Sequence, residues 1–292
     1  MVKRMKLNKI YNQDCIEFMK KMDAESVDVI VTSPPYNLEK KYTKYKDKVK
    51  REDYIEWMGE VIKESERILK KDGSFFLNIG GKPSDPWFAF DVARKSNYLF
   101  ILQNVIHWIK HISLPQDESV RTHPLNGDIS FGNFKPINTN VYLNQCHEYI
   151  FHFTKGGRVL LDKLAIGVPY QHKSNVTRWK EKGKDIRDRG NVWFIRYPNK
   201  QGQFFKILHP AEFPEKLPYL CIKLHGVRKD MVVYDPFIGI GTTALAAIEL
   251  GVNYLGTDID EKYVEIANNR IKERMANKKV EMKKGNSKAS CK

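Results

Sequence analysis

MVVYDPFIGIGTTALAAIELG, residues 231 to 251, decides the fold. MVVY is a short apolar run of the kind buried in a parallel sheet. DPFIGIG interrupts regular structure. The spacing then predicts a helix over 242–250 that ends at Gly251. NYLGTDID reads as the next strand and EKYVEIANNRIKERM as the next helix. Strand, glycine turn, helix, strand, helix is the repeating unit of a wound α/β sheet.

The alternation also runs through the first third of the chain. NKIYNQDCIEFM, 8–19, reads as a strand, a turn and a helix start with Asp14 as N-cap. VDVIV, 27–31, suits a strand buried on both faces. Apolar spacing predicts a helix over 52–70 with Gly73 as its C-cap, a strand over 73–81, a helix over 86–96 and a strand over 101–109. From 112 to 206 the alternation is lost. Basic runs such as KSNVTRWKEKGKDIRDRG surround short strand-like pieces such as HEYIFHFT, 147–154. A loop-rich stretch of that length in a compact protein is usually functional. Regularity returns with a helix from near Pro214 to Gly226. The expected fold class is α/β, a doubly wound, mostly parallel sheet with an inserted loop-rich region. Residues 1–111 and 207–275 form the α/β domain, 112–206 the insertion, and 276–292 a lysine-rich tail without order.

Gly239 and Gly241 permit a tight turn and let a ligand approach the backbone. Gly239-x-Gly241-x-x-Ala244 fits the dinucleotide fingerprint, which keeps a nicotinamide-dependent oxidoreductase open. Asp235 at the head of the loop argues the other way, because a carboxylate there would repel a pyrophosphate. An adenosine cofactor with a cation and a zwitterionic end tolerates it, which points to S-adenosyl-L-methionine. Asp258, ending the next strand, is placed for ribose hydroxyls. Thr242 and Thr243 offer helix-capping hydroxyls. A P-loop is excluded, since no GK[ST] follows the loop.

TSPPYN, 32–37, directly follows VDVIV. Two prolines suit neither strand nor helix, so this is a stiff polar corner at a strand end. TSPPY together with DPFIGIGTT, 235–243, resembles the amino-methyltransferases of DNA. Their target motif is (D/N/S)-PP-(Y/F/W) and their cofactor motif FxGxG. The catalytic motif comes first and a long segment separates the two, an order similar to the beta group, whose insert recognises the target. The resemblance spans residues 8 to 273.

The resemblance implies S-adenosyl-L-methionine held by Asp235, Phe237, Gly239, Gly241 and Thr242, with Asp258 on the ribose and Asp14 on the adenine. His209 and Pro210 would line the methionine end. Trp108 and Lys110 resemble the aromatic-containing motif that helps hold a flipped base. An exocyclic amine is a poor nucleophile because its lone pair is delocalised into the ring. Two acceptors can localise it, the Ser33 side-chain oxygen and the Pro34 carbonyl. Pro34-Pro35 holds both in place before the reaction, and Tyr36 stacks on a base that has left the duplex. In this family SPP(Y/F) mostly accompanies cytosine N4 methylation, and Asp or Asn adenine N6. The implied activity is N4-cytosine methylation, with N6-adenine as the alternative. Homodimers are common in the group, and a cognate endonuclease commonly accompanies such enzymes.

Fifty basic against 35 acidic residues give a net charge of +15, which favours double-stranded DNA as partner. Lys41 and Lys44 sit in a tyrosine-lysine loop, 39–51, expected to be exposed and to close over the flipped base or the DNA backbone. In the insert, Lys135, Lys173, Arg178, Lys180, Lys182, Lys184, Arg187, Arg189 and Arg196 are candidates for duplex contact, the lysines mostly neutralising phosphates. Arg187 and Arg189 are candidates for reading guanine. A non-catalytic DNA-binding protein stays open on charge alone. Cys15, Cys146, Cys221 and Cys291 have neither zinc nor disulfide spacing, so no metal site is expected. No apolar run approaches the roughly 20 residues that span a bilayer, and no signal peptide is read, so the expected location is the cytoplasm.

Overall fold

The structure, a computed structural model, describes residues 5–40, 42–114, 129–132, 136–178, 184–196 and 212–289. Its strands are β1 (Lys9–Asn12), β2 (Val27–Thr32), β3 (Leu69–Ile79), β4 (Ile101–Ile109), β5 (His111–Leu114), β6 (Ile129–Gly132), β7 (His147–Thr154), β8 (Val192–Phe194), β9 (Val232–Asp235) and β10 (Asn253–Asp258). Eight form one sheet in the order β1-β10-β9-β2-β3-β7-β4-β8, and β5 and β6 make a separate hairpin. Within the large sheet only β7 runs against its neighbours.

The helices are α1 (Cys15–Met19), α2 (Arg51–Ile68), α3 (Phe88–Arg94), α4 (Asn175–Arg178), α5 (Lys216–His225), α6 (Thr242–Leu250) and α7 (Glu261–Ala289). Strands apolar on both faces need cover on both. Val29, Val31, Phe76 and Val233 pack with residues of α5, α6 and α7. Ile30, Phe75, Leu77 and Tyr234 pack with α1, α2 and α3. This is the doubly wound α/β sheet that the alternation implied. β9 and β2 are adjacent, and their crossovers diverge: α6 leads to β10 on one side, α2 to β3 on the other. Such a switch point opens a crevice at the carboxyl ends of the strands, where ligands of open α/β sheets bind.

Asp14 caps α1, accepting from the Ile16 and Glu17 amides at 2.9 and 3.0 Å. Four expectations need correction. HEYIFHFT, assigned to the insert, is β7 and lies between β3 and β4 in the central sheet. Ile150, Phe151 and Phe153 are core residues, which the loop-rich surroundings concealed. The helix over 52–70 ends at Ile68, and Gly73 sits inside β3 rather than at a C-cap. A Cβ there would lie 2.7 Å from Leu69 Cγ and 2.9 Å from the Asp28 carbonyl, so close approach explains the glycine. The tail expected to lack order from 276 continues α7 to Ala289. Arg274 anchors that helix to Glu215 at 2.7 and 2.9 Å, and Lys278 donates to the Ile248 carbonyl at 2.7 Å. Finally, the tyrosine-lysine loop is exposed only in part: Thr43, Lys44, Lys46, Lys48 and Lys50 are exposed, while Tyr42 and Tyr45 are half-buried. Asp47 is buried and collects the Asn37, Leu38 and Lys40 amides at 2.8, 3.1 and 2.9 Å.

Candidate active site

The two sequence motifs meet at the switch point. β2 ends at Thr32 and β9 at Asp235. Asp235 is fully buried and its carboxylate is held from three sides. Thr32 Oγ1 and Thr243 Oγ1 each donate at 2.6 Å, and the Phe237 amide donates at 3.0 Å. Burial pushes its carboxyl up to about 6 against these bonds. Asp235 therefore braces the loop from within, and the argument that its charge would repel a pyrophosphate does not hold. The two threonines likewise donate to acids, Thr243 to Asp235 and Thr242 to Glu212 at 3.0 Å, and the N-cap of α6 is Gly241.

Gly239 and Gly241 take φ values of +50° and +86°, which L side chains rarely adopt. At Gly241 a Cβ would also come within 3.0 Å of Ala267 Cβ. The turn delivers the Gly239 amide to Asp258 Oδ2 at 3.1 Å, while the Asp260 amide donates to Oδ1 at 2.7 Å. Burial pushes the Asp258 carboxyl up to about 6 as well.

A cavity lies in front of these loops. Of the expected cofactor and catalytic residues, Asp14, Phe237 and Asp258 line it beside Ser33 and Pro35, whereas Pro34, Tyr36, Asp235, Gly239, Gly241 and Thr242 are not among its walls. Tyr42, Tyr45, Trp57 and Tyr263 give it aromatic walls. Trp57 meets Phe237 edge-on at 5.4 Å between ring centroids and stacks with Tyr45 at 6.0 Å. The loop is tied down by a Thr43–Asp260 hydrogen bond. Burial raises both tyrosine hydroxyls, Tyr45 to about 12, which keeps them neutral. The charged lining is Asp14, Asp258 and Asp260 against Lys44. Aromatic faces with carboxylates and one cation suit an adenosine group with a positive centre better than a pyrophosphate. That donor set, rather than Asp235, carries the case for S-adenosyl-L-methionine. Sequence reasoning missed Trp57 and Tyr263 because both sit in ordinary helical stretches, where aromatic spacing reads as core.

At the corner itself, Ser33 Oγ lies 2.7 Å from Tyr36 Oη. Tyr36 donates to Glu148 Oε2 at 2.9 Å, and Asn78 Nδ2 lies 2.6 Å from the Tyr36 oxygen and 2.8 Å from Glu148 Oε2. Tyr36 is thus held by its hydroxyl beside Ser33. Lys110 pairs with Glu148, and its ammonium sits 5.1 Å from the Trp108 ring centroid. Trp108 is buried and its indole donates to the Ile195 carbonyl at 2.8 Å, so it is a core residue and offers no face to a base. Asn78 and Glu148 were not read from the sequence. Asn78 is an isolated polar residue in the apolar run FFLNI, which was the available signal, whereas Glu148 follows His147 at the start of its strand and gave none.

Of the expected DNA contacts, Arg178 and Arg187 are exposed, and Lys44 is exposed at the cavity rim. Arg189 Nε donates to the Ile166 carbonyl at 2.8 Å, which commits part of its guanidinium to the insert's own fold. Lys41, Lys135, Lys180, Lys182, His209 and Pro210 lie outside the described residues. Among the described residues no helix is long and apolar enough to cross a membrane.

Residues 27–269 match the family described as DNA methylase. The chain is 30% identical over 274 residues to the type II methyltransferase M.BglII of Bacillus subtilis, covering 89% of this chain and 68% of that protein. It is 27% identical over 273 residues to the DNA adenine methyltransferase YhdJ of Escherichia coli (strain K12), covering 90% and 82%. Among solved structures, the PvuII DNA methyltransferase (cytosine-N4-specific) matches with a TM-score of 0.63 at 20% identity, over 91% of this chain and 87% of that one. That last likeness is one of fold. The family takes its methyl group from S-adenosyl-L-methionine, which closes the nicotinamide alternative left open by the glycine loop. A chain that joins a Ser-Pro-Pro-Tyr corner to this glycine loop, and matches over most of its length, belongs to the DNA methylases.

Proposed function

We propose that this protein methylates N4 of cytosine at a specific sequence in double-stranded DNA, and serves as the modification part of a restriction-modification system. One observation carries the choice of base: Ser33, a neutral hydroxyl acceptor rather than Asp or Asn, lines the same cavity as Asp14, Phe237 and Asp258. Its oxygen and the Pro34 carbonyl act as the two acceptors for the amine, and Pro34-Pro35 keeps them in place before the base arrives. N6-adenine methylation is the second reading, because a serine oxygen serves either amine.

S-adenosyl-L-methionine, when bound, would supply an electrophilic methyl group. Asp258 would hold its ribose hydroxyls, Asp14 its adenine amine and Phe237 its adenine ring. Tyr42 and Tyr45 exclude water on the loop side. The target base is flipped from the duplex, since Ser33 cannot reach a stacked base. Arg178 and Lys44 contact DNA phosphates, and Arg187 and Arg189 are the candidates for base reading. The insert without β7 and β8, the stretches 112–146, 155–191 and 195–206, forms the target-recognition region. The protein works in the cytoplasm, where its DNA is, alongside an endonuclease of the same site, and two copies can associate.

Tritiated S-adenosyl-L-methionine incubated with unmethylated genomic DNA tests this reading. Label is expected in the DNA and is expected to vanish with Ser33→Ala. Undiminished transfer by that variant would show that the corner does not act on the amine.

A further inference from the structure

We propose that Glu148 sets the direction of the hydroxyls at the catalytic corner and receives, through Tyr36 and Ser33, the proton that the methylated amine loses. The proposal deepens the reading of Ser33 as acceptor and rests on it.

A phenol carries one proton. Tyr36 has three acceptors in reach, Ser33 Oγ at 2.7 Å, Glu148 Oε2 at 2.9 Å and the Asn78 backbone carbonyl at 3.3 Å. Of these only the carboxylate is charged, so it takes the proton. The Tyr36 oxygen is then an acceptor, and the 2.7 Å contact between the two hydroxyls is donated by Ser33. That engages the only Ser33 proton; Asn78 Nδ2 lies 3.2 Å from the Ser33 oxygen, and one lone pair stays available to an incoming N–H. Without the carboxylate either hydroxyl can donate, and Tyr36 donating to Ser33 would take up acceptor capacity that the amine needs.

Three further observations converge on Glu148. It is buried, and Lys110 holds its other oxygen. Asn78 turns Nδ2 toward Glu148 and Tyr36 while its Oδ1 stays buried without a partner, a cost that a carboxylate at this position explains. Gly80 provides the room, since a Cβ there would stand 3.0 Å from Glu148 Cγ and 3.3 Å from Tyr36 Cε2.

The proton step balances along this line. The nitrogen that has gained a methyl is cationic and gives its N–H proton to Ser33 Oγ. The Ser33 proton passes to the Tyr36 oxygen, and the Tyr36 proton to Glu148 Oε2. Each hydroxyl forms one O–H bond and gives one up. The product amine is neutral and Glu148 ends as the acid. Because such a nitrogen cation is strongly acidic, a carboxylate paired with Lys110 suffices as receiver.

The test uses Glu148→Gln and Tyr36→Phe, singly and together, in the full chain. Single-turnover transfer to unmethylated DNA is expected to fall at least about tenfold in each single variant, the low side of what positioned proton transfer contributes. The double variant is expected to fall no further, with cofactor and DNA dissociation constants unchanged. Without cofactor, the Raman tyrosine doublet of Tyr36, isolated by subtracting Tyr36→Phe, is expected to report a strong donor that becomes weaker in Glu148→Gln. Wild-type rate in Glu148→Gln, additive losses, or no donor signature would overturn the proposal. Should Glu148→Gln fail to fold, Gly80→Ala, which crowds the carboxylate, takes its place with the same expected loss and the same contrary result. If Ser33→Ala transfers at full rate, it is the acceptor assignment that fails, and the Raman result still judges the hydroxyl chain.

Discussion

Thr32 Oγ1 donates to Asp235 Oδ1 at 2.6 Å across 203 positions of the chain. One residue ends the strand that leads into the Ser-Pro-Pro-Tyr corner, and the other opens the cofactor loop. A single buried carboxylate thus sets the distance between the two halves of the site. Thr32→Val keeps the shape and removes a donor to a buried acid. It is expected to lower stability by about 1.5–3 kcal/mol, the range for hydrogen bonds to charged groups, and to weaken S-adenosyl-L-methionine binding. Urea unfolding and calorimetry measure the two effects. A variant that matches wild type in both contradicts the brace.

Gly241→Ala is expected to be costly because φ is +86° and Ala267 stands in the way. A non-glycine residue held in that region costs of order 1–3 kcal/mol. Since the same turn positions the Gly239 amide on Asp258, cofactor affinity should fall as well. Thermal unfolding with and without cofactor reads both, and an unchanged melting temperature would argue that the turn relaxes freely.

Much of this fold was legible because strand, turn and helix alternate with strong apolar runs, as in residues 231 to 258. The corner and the loop stood out because prolines and glycines punctuate otherwise apolar sequence. What sequence could not supply was direction. Asp235 and Trp108 carry functional-looking signals yet face the interior, and only packing decides that. β7 was hidden because its partners β3 and β4 are distant in sequence and its flanks are irregular. Glu148 gained its meaning only when β7 was placed beside β3, where it meets Tyr36 and Asn78.

Two buried histidines give the apo protein a pH signature. Ser74 Oγ lies 3.0 Å from His152 Nε2 and 2.9 Å from His225 Nδ1. Burial holds both rings far below their ordinary value, His152 at about 3 and His225 at about 4. The unfolded chain, titrating near 6.5, binds more protons than the native one between these values and 6.5. Their contribution is therefore fully present above pH 6.5 and is lost as pH falls from there toward 4. Asp235 and Asp258, whose values are raised, act in the opposite sense between about 4 and 6, so a variant comparison isolates the histidines. The stability advantage of wild type over His225→Asn should shrink by up to about 1.4 kcal/mol per pH unit below 6.5. A constant gap across that range contradicts the assignment.

Arg178→Ala and Arg187→Ala test the insert as a DNA surface. Each exposed arginine on a phosphate should reduce the slope of log affinity against log salt by about 1. Loss of sequence preference on top of that, seen with Arg187→Ala alone, would mark base reading. No change in either quantity would place DNA on another face.

The central claim is that one cavity couples the glycine loop to a serine-based acceptor for cytosine N4. Nucleoside mass spectrometry of unmethylated DNA treated with the purified protein and S-adenosyl-L-methionine tests it most directly. N4-methylcytosine, absent from DNA treated with Ser33→Ala, is the predicted product. N6-methyladenine as the sole product would contradict the reading of Ser33.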